Sequence, residues 1–181
     1  TARARRLCPK LIVLPPNFEL YELFSRRMFS YAHDFTPLVE IGSIDEGYMD
    51  LSGCRGKSPG DIGRTIRRAV LQSMKITISE GIGRNKLVSQ IASKISKPAG
   101  FVEVEHGHEC AFLHPLAAKW LPGVGPKLEA TFRTAGLEKI AHVAATPPHL
   151  LALLAGSAAP QIHAFAHGED DRPVIPDPPA A

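Results

Sequence analysis

Residues 75–104 read KITISEGIGRNKLVSQIASKISKPAGFVEV, and their periodicity decides the fold class. Through KITISEG, residues 75–81, apolar and polar side chains alternate, the period of a strand. From Arg84 the period lengthens. Leu87, Ile91 and Ile95 fall on one stripe of a helix, with Lys86, Ser93 and Lys97 on the outward side. Pro98 and Gly100 stop that helix, and 101–104 is a second short strand. Strand, helix and strand in direct succession make a mixed unit of sheet and helix.

Upstream, Ser58-Pro59-Gly60-Asp61 marks a helix start, with a cap, a proline in the first turn and an early acid. Ile62, Ile66, Val70 and Met74 form its buried stripe. Before it, LVEIGSI at 38–44 has strand character and runs into DEGYMDL at 45–51, where Tyr48/Asp50 and Met49/Leu51 alternate. Pro15-Pro16-Asn17 precedes a helical pattern with Tyr21, Phe24, Met28 and Tyr31 on one stripe and Asn17 as its cap. After about residue 105 the β-branched strand signals vanish. Short helices separated by Gly and Pro fit 111–120, 126–135, 138–144, 147–154 and 161–167. The ending GEDDRPVIPDPPAA, from Gly168, is Pro-rich and acidic and reads as a linker or tail.

The 181 residues are 44% hydrophobic and 22% charged, the balance of a chain with a packed core rather than a disordered one. No apolar run approaches the length of a membrane-spanning helix. TARARRLCPK at the start is basic but has no apolar stretch behind it, so it lacks the pattern of a secretory signal; a chain that opens on Thr1 is expected to be part of a longer one. The net charge of +3 names no partner. Residues 55–97, however, hold ten Lys and Arg against Asp61 and Glu80, either a phosphate-facing surface or ordinary solvated helix faces. Cys8, Cys54 and Cys110 are too scattered for a disulfide framework, which fits a reducing, cytoplasmic setting. His106, His108 and Cys110 alternate, and His163 and His167 stand four apart, but both groups lack the further ligands of a closed zinc site.

Three local features carry chemistry. Asp45 and Glu46 sit at a strand junction, where neighbouring carboxylates can converge on a Mg²⁺ ion that takes oxygen ligands. GIGRNK at 81–86 lies between strand and helix, with Arg84 and Lys86 beside the new helix's N–H groups. It is an anion site or a glycine turn with solvated basic residues. Gly123-Val124-Gly125-Pro126-Lys127 joins two helices. Its backbone N–H groups and Lys127 can hold a nucleic-acid phosphate without reading sequence; otherwise it is a plain connection.

Taken in order, SIDEGYMDL, GIGRNKLVSQIASKISKPAG and LPGVGPKLEATFRTAGLEKI resemble the Y-family, translesion DNA polymerases, the bacterial DNA polymerase IV branch in particular. The resemblance covers nearly the whole chain. It implies an α+β fold: a partial ferredoxin-like palm at 1–104 with an antiparallel sheet, a helical thumb with a helix-hairpin-helix at 105–167, and a linker at 168–181 toward a little-finger domain. It implies a DNA-directed DNA polymerase acting in damage tolerance, with two Mg²⁺ ions, primer–template DNA and an incoming dNTP, and a sliding clamp reached through other parts of the protein. On that likeness Asp45 and Glu46 are catalytic metal ligands, Lys86 and Arg84 bind the nucleotide, and Gly123, Val124, Gly125 and Lys127 touch the DNA backbone. The alternatives are a non-catalytic DNA-binding relative and a helix-hairpin-helix module fused to an unrelated domain.

The family's leading strand, with a further metal-binding Asp, and its fingers do not appear in this sequence, so the chain alone is expected to be inactive. Gly47 and Met49 stand where the family often has Ala and Leu and read as neutral packing changes. The strands at 38–51, 75–81 and 101–104 are expected in one mainly antiparallel sheet, with the helices near Pro59 and Arg84 on one face. Bulk at Gly125 is expected to hurt more than loss of Lys127, by straining the turn and blocking close approach.

Overall fold

The computed structural model describes residues 1–176. A short α1 (Ala2–Leu7) precedes α2 (Phe18–His33), the hairpin β1 (Val39–Ile41) and β2 (Gly47–Met49), α3 (Pro59–Met74), β3 (Glu80–Ile82), α4 (Lys86–Ile95) and β4 (Phe101–Glu103). Helices follow: α5 (Glu109–Leu113), a 3-10 turn (Ala118–Trp120), α6 (Pro126–Thr134), α7 (Ile140–Ala145), α8 (Pro148–Ala155), a second 3-10 turn (Gly156–Ala158) and α9 (Ala159–Ala166). This is the expected order, a mixed α+β part and then an all-helical part.

The caps read from sequence at Asn17 and Ser58 form, and Asn85 adds a third that was not read. Asn17 accepts the N–H of Leu20, Ser58 that of Asp61 and Asn85 that of Val88; each such cap contributes on the order of 1 kcal/mol. Lys75, read as the start of a strand, is instead the left-handed residue that ends α3, with φ 59°. The strand therefore begins later, at Glu80.

The single antiparallel sheet does not form among the described residues. β1 and β2 pair antiparallel, Val39 opposite Met49 and Ile41 opposite Gly47. β3 and β4 form a separate, parallel pair with Glu80 opposite Phe101. The link between them is a helix, and a helical crossover returns the chain in the same direction. Nor do α3 and α4 share a face. A methyl group on Gly81 would lie 2.8 Å from Cβ of Ala92 in α4, whereas one on Gly63 of α3 would lie 3.0 Å from the Phe101 ring and 3.5 Å from Ile82. Successive strand residues point to opposite sides, so β3 is sandwiched between the two helices. The helix that accompanies α3 is α2; Met28 and Tyr31 of α2 pack on the cluster of Ile62, Ile66 and Val70.

Gly47 is not a neutral change. A methyl there would fall 2.7 Å from the Phe29 ring and 2.6 Å from the Glu40 carbonyl oxygen. The missing side chain lets Phe29 lie against the hairpin beside Val39, Met28 and Met49.

The largest core runs through the helical part, around Leu113, Phe132, Ile140, Leu151 and Ile162, and extends back to Leu87, Val88, Ile91 and Ala92 of α4. Helix α4 thus lies between β3 and the later helices. Residues 177–181 of the expected linker lie outside the described residues.

Candidate nucleotide and nucleic-acid site

Asp45 and Glu46 occupy the tip of the β1–β2 hairpin, and both are exposed. The N–H groups of Gly42 and Ser43 donate to the Glu46 carbonyl, each at 2.9 Å. The Ser43 hydroxyl donates to Asp45 Oδ1 at 2.6 Å and accepts the Glu46 N–H at 3.2 Å. Ser43 thereby orders both acidic residues. Two neighbouring carboxylates on an open turn are hard oxygen donors that suit Mg²⁺ with water and phosphate completing its shell. Among the described residues no group of three or more His, Cys, Asp or Glu could hold an ion. The fit is therefore to part of a metal site.

Behind the turn, Glu40 and Tyr48 are directly opposite each other across the two strands and share a face. Lys86 lies on that face. It was expected to point outward, yet it is 9% exposed. Its ammonium meets Glu40 Oε2 at 2.5 Å and lies 5.1 Å from the centre of the Tyr48 ring. The outward reading failed because it considered only α4's own stripe and not the hairpin that covers the helix start. Burial and the nearby Glu46 carboxylate push the Tyr48 hydroxyl above its ordinary pKa. Lys86 of α4 thus meets the hairpin through Glu40 and Tyr48, and of the acidic turn the Glu46 carboxylate acts on Tyr48. Arg84 is exposed, and its charge reaches Glu109 at the start of α5.

The N–H groups of Leu87 and Val88 at the start of α4 are already in use. Asp170 Oδ2 accepts from the Leu87 N–H at 2.9 Å, and the Asn85 side chain holds both the Val88 N–H and the Gly168 carbonyl. The anion at this helix end is a carboxylate of the same chain. Arg172 donates to both oxygens of Asp170, at 2.7 and 2.8 Å, and its guanidinium lies 5.2 Å from the Phe165 ring centre of α9. Farther on, the Ile175 N–H donates to Glu40 Oε2 at 2.7 Å. Residues 168–175, within the stretch expected as a linker or tail, form a strap across α4 to the hairpin. Sequence reasoning missed Glu40, Tyr48, Asp170 and Arg172. A charged residue between Val39 and Ile41 was an available signal for Glu40; nothing local marked the strap.

The turn before α6 is exposed at Gly123, Gly125 and Lys127. Gly123 has φ 90°, and no side chain caps α6. Val124 instead packs into the core, 7% exposed, and its N–H donates to the Leu121 carbonyl. Gly125 has φ −81° and open space where a Cβ would be. The turn strain expected there falls on Gly123.

A family profile described as "IMS: impB/mucB/samB family" matches residues 1–94, about half of the chain. This chain belongs to the impB/mucB/samB family. Its sequence and fold are those of the Y-family, DinB and DNA polymerase IV-like polymerases, over part of the palm and the thumb. The DNA polymerase IV of Opitutus terrae is 42% identical over 178 residues, covering 96% of this chain and 45% of that protein. That of Desulfatibacillum aliphaticivorans is 41% identical over 175 residues, 96% of this chain and 44% of the relative. The chain therefore spans under half the length of these curated relatives. Among solved structures, DinB from Sulfolobus solfataricus superposes with a TM-score of 0.89 at 26% identity, covering 97% of this chain and 52% of that one. An insertion ternary complex of Dbh DNA polymerase gives 0.86 at 26%, over 96% and 52%. Because the impB/mucB/samB relatives match the mixed and the helical parts together, the two are not an unrelated fusion.

Proposed function

We propose that this chain supplies part of the nucleotidyl-transfer site and of the DNA grip of a template-directed translesion DNA polymerase. The observation that carries it is the acidic turn backed by a held lysine, in a chain 42% identical to a DNA polymerase IV over 96% of its length. In this reading residues 1–104 are palm, 105–167 thumb and 168–181 the linker. Asp45 and Glu46 hold Mg²⁺. When bound, the ion would supply charge neutralisation for phosphoryl transfer. Lys86 faces the triphosphate with a fixed cation, and Arg84 adds an exposed one.

At the thumb, Gly123, Gly125 and Lys127 meet a backbone phosphate at the uncapped α6 start. Such contacts are sequence-neutral and few, so affinity falls with salt on a shallow slope, about two to four released counterions.

Fluorescence anisotropy of a labelled primer–template across a salt series tests the grip. Binding indifferent to salt removes it. In the longer polymerase that carries this chain, Asp45→Ala abolishes primer extension and leaves DNA affinity nearly unchanged. Undiminished extension by that variant removes the turn from the chemistry.

A further inference from the structure

Lys86 is held by an oxygen that does a second task. Glu40 Oε2 meets the Lys86 ammonium at 2.5 Å and accepts the Ile175 N–H at 2.7 Å. The Ile175 N–H and then Lys86 hold the Glu40 carboxyl below its ordinary pKa. The strap that brings Ile175 there is anchored on the helix of Lys86 itself, through Asp170 to the Leu87 N–H and Gly168 to the Asn85 side chain. The strap therefore holds both the helix start that carries the lysine and the carboxylate that orients it.

We propose that Glu40 is a positioning residue for Lys86 and that the 168–175 strap, through the Ile175 N–H, fixes Glu40; the proposal rests on the reading of Lys86 as a nucleotide-binding residue. An ammonium has three donors. One is taken by Glu40, and the Tyr48 ring occupies another side at 5.1 Å, so the remaining direction is set before any ligand arrives. A free lysine side chain carries about 2 kcal/mol of rotamer entropy. Restricting it in advance lowers the ordering cost of binding an anion. A bare ion pair is weak evidence for a role in stability. Here the same carboxylate oxygen also bonds the main chain of a segment 135 residues away in sequence, so the lysine's aim depends on the strap.

The test is calorimetric titration of Mg·dATP into the 181-residue protein and its variants, with melting temperatures recorded for each. Lys86→Ala is expected to weaken binding about tenfold or more, the loss of a charge-assisted bond. Glu40→Ala should weaken it about fivefold, and Glu40→Gln, which keeps the accepting oxygen, distinctly less. Ile175→Pro removes the N–H, along with an exposed side chain and the freedom of φ, and should cost roughly twofold. In a Lys86→Ala background all three changes should have no effect. A Glu40 or Ile175 effect that persists in that background, or equal losses for Glu40→Gln and Glu40→Ala, overturns the proposal while leaving the nucleotide reading intact. Unchanged affinity in Lys86→Ala, or no binding by the unaltered chain, overturns the nucleotide reading and Glu40's role with it. Should Glu40→Ala fail to fold, the Glu40→Gln and Ile175→Pro comparisons still decide.

Discussion

Glu80 is a carboxylate in apolar surroundings. It faces α3 beneath Gly63, and its Oε2 is buried with no hydrogen-bond partner. Burial raises its pKa to about 7, against the pull of Arg67. The unfolded chain ionises near the ordinary 4.5, so between there and about 7 the folded state binds more protons. Stability falls as pH rises through that window and is flat above it. Glu80→Gln should therefore match the unaltered protein near about pH 5 and melt several degrees higher near about pH 8, at roughly 2–4 °C per kcal/mol. A constant difference between the two pH values counts against burial as the cause. No sequence signal identified Glu80, because the groups that desolvate it come from α3 and β4. The two glycines before α6 separate in a similar way. Gly123 at φ 90° pays about 1–2 kcal/mol for any side chain, whereas a Cβ on Gly125 meets nothing within 4 Å. Gly123→Val should lower the melting temperature. Gly125→Val should leave it unchanged and weaken DNA binding by anisotropy more than Lys127→Ala does. Equal DNA losses in the latter pair would remove close backbone approach from the account.

At the scale of elements, the strap has its own pH signature. Burial pushes the Asp170 carboxyl upward, but the hydrogen bonds from Arg172, with that from the Leu87 N–H, outweigh it and hold the group below its ordinary pKa. A depressed carboxylate contributes stability that is full above the unfolded pKa and is lost as pH falls through the folded one. Asp170→Asn should cost about 1–3 kcal/mol near neutrality and flatten the acid side of the melting-temperature profile. An unflattened profile would place the acid transition elsewhere. The helices and two of their caps were legible because Asn17 and Ser58 each act within their own turn. The sheet was legible in its strands and misread in its pairing. A strand–helix–strand succession itself favours a parallel return, a signal that the alternation of residues 75–81 obscured. The acidic turn could be read from Asp45 and Glu46 alone, but the face behind it could not, since Lys86 meets Glu40 across 46 positions.

Over the whole molecule, the composition change near residue 105 marks where strands stop rather than where a core ends. Leu87, Val88 and Ile91, each no more than 1% exposed, lie in the same apolar cluster as Phe132 and Ile162. Amide hydrogen exchange should be slowest in α4 and α9 together. It should be faster in α1 and the first turns of α2, where every residue through Phe24 is exposed. Protection that divides between α4 and α9 would show two separately opening units.

That shared cluster bears on how such proteins can be recombined. A hybrid that takes its helical part from one relative and its strands from another has to choose a seam. Cutting at residue 104 splits the cluster and asks α4 of one parent to fit helices of the other. Cutting between Gly83 and Asn85 moves α4 with its neighbours, but then β3 must bring a glycine to position 81, where any Cβ would run into the α4 backbone at Ser89 and Ser93. The later seam should yield poorly folded hybrids and the earlier one well-folded hybrids whenever the parent of β3 keeps that glycine, as thermal melts of both sets would show.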